Sequence, residues 1–245
     1  MTRRTRAGLA LVVLALAAWE IAVRLTDTPV YLVPAPSDIA GVLGEDVTGL
    51  VPASLVTLGE ALAGLALGAA VGLAMAVLVT FWGQLEQGVM SLALLIKSTP
   101  IIAVAPILTI WMGFGHGPKV IVTALLTFFP VLINSLEGFR SVDPAVTDWF
   151  RSIDVPARQY FTQARWPSAR PFLFAALKVA APLAMIGAVV AEWMGASSGL
   201  GRLMWLSYNN LDMPSLFAAV VALTLLSAGV YRLVVAAERR TVHWA

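Results

Sequence analysis

Charged side chains make up 12% of this 245-residue chain and hydrophobic ones 59%, so the few charges that interrupt apolar runs are where any chemistry must reside. Lys97, Glu137, Lys178 and Glu192 lie inside or at the ends of such runs. A charge carried into hydrocarbon is costly and faces protein, water or an interface. Glu137 and Lys178 are near enough to run ends to snorkel. Lys97, beside Ser98, Thr99 and Pro100, lies deeper and reads equally as a charge on a solute pathway or as the partner of a buried acid. Glu192 and Trp193 close another run ahead of Gly195-Ala196-Ser197-Ser198-Gly199-Leu200-Gly201. That flexible segment either turns the chain or gates a cavity. Lys97, Glu192 and Trp193 are therefore the pathway candidates, and Trp193, Trp205 and Tyr208 could stack flat rings or anchor at a membrane surface.

Catalytic chemistry finds no footing. The chain has no cysteine, and its two histidines, His116 and His243, are far apart in sequence, which excludes thiol nucleophiles and disulfides and argues against a metal centre. Acids are scattered and serines lack a nearby histidine, so no triad or carboxylate pair forms. Lys97, Lys119 and Lys178 are the lysines, and none closes a Gly-rich phosphate loop. The expectation is no catalytic residue, no metal, no cofactor and no ATP site of its own. A net charge of +2 implies no nucleic-acid partner.

The elements that must hold these residues are apolar helices. Mean hydropathy is +0.85, and a bilayer core is spanned by roughly 20 apolar residues in a helix. Stretches near 7–25, 54–80, 87–112, 119–138, 172–193 and 214–236 meet that demand, predicting an all-α membrane protein with about six spans. Pro100 and Pro106 should bend or break the third. The first follows Arg3, Arg4 and Arg6 and contains Ala15-Leu16-Ala17; its apolar run continues past that triplet, which favours a retained helix over a cleaved leader. Arg140, Arg151, Arg158, Arg165, Arg170, Arg239 and Arg240 join the first three arginines on one side, against Lys119 and Arg202 on the other, so both termini are expected in the cytoplasm. Pro34-Ala35-Pro36-Ser37-Asp38 predicts an extended turn, then a short helix capped by Ser37. Gly64, Gly68 and Gly72 make a smooth helix ridge suited to close packing. The chain divides into a first helix with its outer loop, 1–53, and a transmembrane body, 54–240, containing a polar loop, 140–171.

That loop is amphipathic. Val146, Trp149, Phe150, Ile153, Ala157, Tyr160, Phe161 and Ala164 recur at steps of three and four, predicting two short helices joined near Asp154, which with Pro156 suits a helix start. Such a segment either rests on lipid headgroups or inserts into a groove of a partner protein.

Several pieces resemble the binding-protein-dependent ABC importer permeases, in the branch that handles nitrate, sulfonates and taurine, and pyrimidines or riboflavin. They are Pro34-Ala35-Pro36, Lys97-Ser98-Thr99-Pro100-Ile101 with Ala105-Pro106-Ile107, Trp111-Met112-Gly113-Phe114-Gly115, Phe128-Phe129-Pro130-Val131 with Asn134, and Asp143-Pro144. Order and spacing carry the resemblance over nearly the whole chain. It implies a type I importer permease fold and a coupling helix seated on a separate ABC ATPase, with Asp148, Trp149, Phe150, Asp154, Gln159 and Phe161 as coupling residues. The family motif places Glu-Ala-Ala where this chain has Asp148-Trp149-Phe150, and Gly where it has Asp154, a residue that tolerates a left-handed turn. The implied partners are ATPase subunits, a second permease copy or close relative, an extracytoplasmic solute-binding protein and the lipid bilayer of the bacterial cytoplasmic membrane. The run Ile186-Gly187-Ala188-Val189-Val190-Ala191-Glu192-Trp193 is most similar to pyrimidine-precursor and riboflavin permeases. A gradient-driven secondary transporter would share the composition but not the docking loop.

Overall fold

The computed structural model describes residues 3–242, and His243 lies outside them. Eleven α-helices follow one another, with no strand among the described residues: α1 Arg3–Leu25, α2 Pro36–Glu45, α3 Val47–Phe81, α4 Glu86–Ser98, α5 Ile101–Met112, α6 Gly117–Arg140, α7 Pro144–Ser152, α8 Ala157–Tyr160, α9 Trp166–Trp193, α10 Leu200–Asn209 and α11 Met213–Thr241. A single π turn, Phe161–Arg165, joins α8 to α9. Four helical stretches, Thr48–Phe81, Gly117–Arg140, Ala157–Trp193 and Met213–Thr241, are long and apolar enough to cross a membrane. The α4–α5 pair meets the same test only when its two bent halves are counted together, and α1 runs 23 residues over the first expected span.

The third expected span is not one straight helix. Its halves meet at 93°, because Pro100 pushes Thr99 into extended backbone, φ −75° and ψ 127°. Pro106, expected to share in the break, lies within α5. Ser37 does not cap α2 either. Ala35 precedes Pro36 at the helix start and donates its N–H to Asp38. Ser37 gives its N–H and hydroxyl to Glu20 at 3.0 and 2.8 Å, while Arg24 reaches Glu20, Ser37 and Asp38, tying α1 to α2.

Helix α6 is the axis of the bundle, lying between α3 and α9. The ridge of Gly64, Gly68 and Gly72 makes the first contact possible. A Cβ at Gly72 would stand 2.7 Å from the Phe128 carbonyl oxygen, and those at Gly64 and Gly68 would strike Thr123 and Thr127. In lipid, where apolar surface gains little from leaving the solvent, this closeness supplies the van der Waals contact that holds helices together. Ala176, Ala180, Ala181, Ala184 and Ala188 give α9 a similarly small buried face.

Candidate functional site

At one end of the bundle the 140–171 loop has a fixed foot and a projecting helix. Phe161 stacks among Phe81, Phe139 and Trp166, with ring centroids 5.1, 5.1 and 6.4 Å away. Arg165 lies 5.0 Å over the Tyr160 ring and donates to the Thr80 carbonyl at 3.3 Å. Arg140 and Glu86 pair at 2.6 Å across the starts of the loop and of α4. These contacts clamp the loop's second half onto α3, α6 and α9.

Helix α7 stands away from that clamp. Asp143 caps it, accepting the Ala145 N–H at 2.7 Å, and Pro144 occupies its first turn. Phe150 turns inward against Tyr160, centroids 5.3 Å apart, and Thr147 and Tyr160 share a hydroxyl hydrogen bond of 2.8 Å. Val146, Trp149 and Ile153 remain exposed, Trp149 by 58% and Ile153 by 52%. Asp148 and Gln159 are exposed as well. Asp154 reverses the chain in the left-handed region, φ +50°. It does not cap α8, whose N-cap position is Pro156 and which has no side-chain cap. A cleft of about 380 Å³ opens between the two parts, lined by Phe81, Phe150, Asp154 and Arg165. The six residues read as coupling residues thus separate. Asp148 and Trp149 lie on the projecting face, Gln159 is exposed on α8, Phe150 braces α7, Asp154 makes the turn, and Phe161 is internal to the foot.

The opposite end buries charge instead. Glu192 is fully buried and accepts the Thr57 hydroxyl at 2.6 Å and the Gly201 N–H at 2.5 Å. Thr57 in turn accepts the Leu200 N–H at 2.8 Å. One carboxylate therefore ties α3 and α9 to the first turn of α10, where unpaired N–H groups favour a negative charge. A Cβ at Gly199, φ +110°, would run into that carboxylate. The Gly-rich segment, expected to be flexible, is a tight entry to a packed helix whose Leu200, Gly201, Met204 and Ser207 are buried.

Lys119, expected on an outer connection, is also buried, at 1% exposure, and gives its ammonium to the Phe114 and Gly115 carbonyls at 2.8 Å each. It lies in the field of Glu60 and Glu192. Glu60, 4% exposed, meets His116 Nδ1 at 2.7 Å. Thr57, Glu60, His116 and Lys119 join Glu192 in this fastening. The sequence signal for Glu60 is the same as for Glu192: a carboxylate inside an apolar run. The other pathway candidates do not join it. Trp193 is exposed by 43%, and Lys97 lies at the α4–α5 break with its ammonium 4.4 Å from the Phe129 ring centroid. Lys178, expected to snorkel, pairs with Glu238 at 2.9 Å.

A family model described as a binding-protein-dependent transport system inner membrane component matches residues 64–243. The chain belongs to that family. This permease is 34% identical over 213 residues to a formylaminopyrimidine transport permease protein of Halalkalibacterium halodurans, covering 85% of this chain and 83% of that one. It is 31% identical over 228 residues to a riboflavin transport system permease protein of Chloroflexus aurantiacus, covering 92% and 85%. A putative aliphatic sulfonates transport permease protein of Bacillus subtilis is 27% identical over 239 residues, covering 97% and 87%. Among solved structures, an inward-facing MetNI methionine ABC transporter superposes with a TM-score of 0.66 at 19% identity, over 79% of this chain and 96% of that one. The fold of the permease is thus that of ABC importer permeases, and its apolar helices make it a multi-pass inner-membrane protein.

Proposed function

We propose that this permease is the membrane subunit of an ATP-driven importer, and that α7 is the element through which a separate ATPase drives it. The observation that carries the reading is the exposed apolar face of Val146, Trp149 and Ile153 on a helix whose base is clamped to three spans. A groove on a partner protein is the usual destination of such a face. The clamp would pass motion of α7 into α3, α6 and α9, biasing the bundle between inward-open and outward-open arrangements. The loop and both termini then lie in the cytoplasm, as the arginine distribution demands. The far end, with α10, faces a solute-binding protein, and a second copy or close relative completes the pathway. Residues 1–53 carry the first helix and its connection, and 54–240 the transporting body.

The substrate is a small solute, and a pyrimidine precursor or riboflavin-like heterocycle fits the named relatives better than a sulfonate does, by their higher identity. A transporter driven by an ion gradient would need neither α7 nor a partner. Affinity purification of the tagged chain from its native membranes in mild detergent tests the reading. An ATPase is expected to copurify, stimulated by a solute-loaded binding protein. A chain that purifies alone and catalyses gradient-driven uptake in liposomes would replace this reading with the secondary-transporter one.

A further inference from the structure

The break between α4 and α5 opens onto a cavity of about 440 Å³, and Lys97, Thr99, Leu126, Phe129, Asn134 and Leu183 are among the residues that line it. Its depth matters. Helix α4 starts at the loop end, where Glu86 is paired with Arg140, and Lys97 lies at its other end, over a ring from the middle of α6. An ammonium at mid-bundle depth ordinarily finds a carboxylate or water. No carboxylate lies within ion-pair distance of Lys97 among the described residues, and no hydrogen bond engages its ammonium there. The Phe129 face holds the charge electrostatically while leaving its donors uncommitted.

Of the two other polar side chains in the lining, Asn134 adds a donor and Thr99 does not. Asn134 spends one amide N–H on the Pro130 carbonyl at 2.8 Å and keeps a second. The Thr99 hydroxyl donates to the Leu95 carbonyl at 2.8 Å and cannot also donate into the cavity. The lining contains no acid, and leucine, isoleucine, proline and phenylalanine make up the rest. Convergent donors on an apolar wall are the pattern of a small-molecule site.

We propose that this cavity binds a small organic anion, with Lys97 and Asn134 donating to its carboxylate, sulfonate or phosphate and Phe129 and Leu126 packing against its apolar body. The proposal rests on the importer reading, since the site lies where a solute crossing the bundle would pause, and it narrows the solute of that reading to one that carries an acidic group, such as a heterocyclic acid. A ligand anion replaces the counter-charge that Lys97, exposed at the mouth of the cavity, lacks within its own chain, and the apolar wall beside it strengthens the attraction.

The test uses the permease with whatever partners copurify, reconstituted in lipid nanodiscs, and radiolabelled benzoate as probe. Benzamide and benzylamine are its neutral and cationic competitors, and empty nanodiscs the background. Benzoate is expected to bind about tenfold more tightly than benzamide, with benzylamine not competing. Lys97→Gln should abolish the preference for benzoate over benzamide, Lys97→Arg should retain it, and Asn134→Leu should weaken benzoate about threefold while keeping the preference. Absence of benzoate binding, equal affinity for benzoate and benzamide, stronger competition by benzylamine, or an unchanged Lys97→Gln protein would each overturn the site. A Lys97 satisfied by a carboxylate of a neighbouring chain would give the second of these results. If an ATPase copurifies and the anion preference fails, only the site falls. If the preference holds and no ATPase copurifies, the importer reading falls and the site stands.

Discussion

The two ends of the bundle treat the same kinds of residue in opposite ways. At the loop end, Trp149 on α7 and Ile153 just after it are left exposed, and aromatic rings around Phe161 are spent on holding the loop's base. At the other end, Glu60, Lys119 and Glu192 are taken out of solvent; Lys119 and Glu192 fasten backbone, and Glu60 pairs with His116. An exposed apolar helix is incomplete without a partner, whereas a buried carboxylate that accepts a hydroxyl and an N–H is already satisfied. On that contrast rests the proposal that α7 docks on another protein, while the Glu192 cluster serves the bundle itself.

Substitutions can break that contrast, and the largest effect is expected at Glu192. Glu192→Ala leaves the Gly201 N–H without its acceptor, leaves the Thr57 hydroxyl only its 3.2 Å bond to the Ala53 carbonyl, and removes an acid whose field reaches Lys119. It should cost about 3 kcal/mol and lower the thermal midpoint in detergent by roughly 10 °C, measured by scanning fluorimetry. Phe161→Ala empties the centre of the aromatic foot and should cost about 3 kcal/mol at most, with loss of ATPase coupling following from a loosened loop. Gly72→Ala forces a methyl group against the Phe128 carbonyl and should cost about 1–2 kcal/mol in the same assay. Trp149→Asp sharpens the comparison from the other side. Its midpoint should stay within about 0.5 kcal/mol of the parent while ATPase copurification is lost. Asp154→Gly is the mildest, and should raise stability by about 0.5–1 kcal/mol by relieving the left-handed turn. A fall in stability there would mean that the aspartate side chain holds the turn.

The spans and the loop were legible because both depend on patterns that local sequence carries. Apolar length fixes α3, α6, α9 and α11, and steps of three and four mark α7. Asp154 is in the left-handed turn that its alignment with a family glycine implies. What local pattern misses is which neighbour a side chain meets. Phe161 and Trp149 have similar periodicity, yet the π turn, Phe161–Arg165, rotates the first onto Phe81 and Phe139 while α7 holds the second outward. Lys119 looked like an outer positive charge because positive-inside counting ignores depth, and the Phe114 and Gly115 carbonyls that receive it belong to a turn invisible in hydropathy. Glu192 stood out as a charge at a run's end, but the α10 N-terminus it holds was hidden in a glycine-rich segment.

The most direct test of the account exploits the absence of cysteine. Asp148→Cys on the exposed face of α7 and Arg202→Cys on α10 are each labelled with benzophenone maleimide in the purified complex and irradiated. Cross-linking to the ATPase from position 148 and not from 202 is the predicted result. An ATPase that copurifies but cross-links from 202, or from neither position, would contradict the claim that α7 is its docking element.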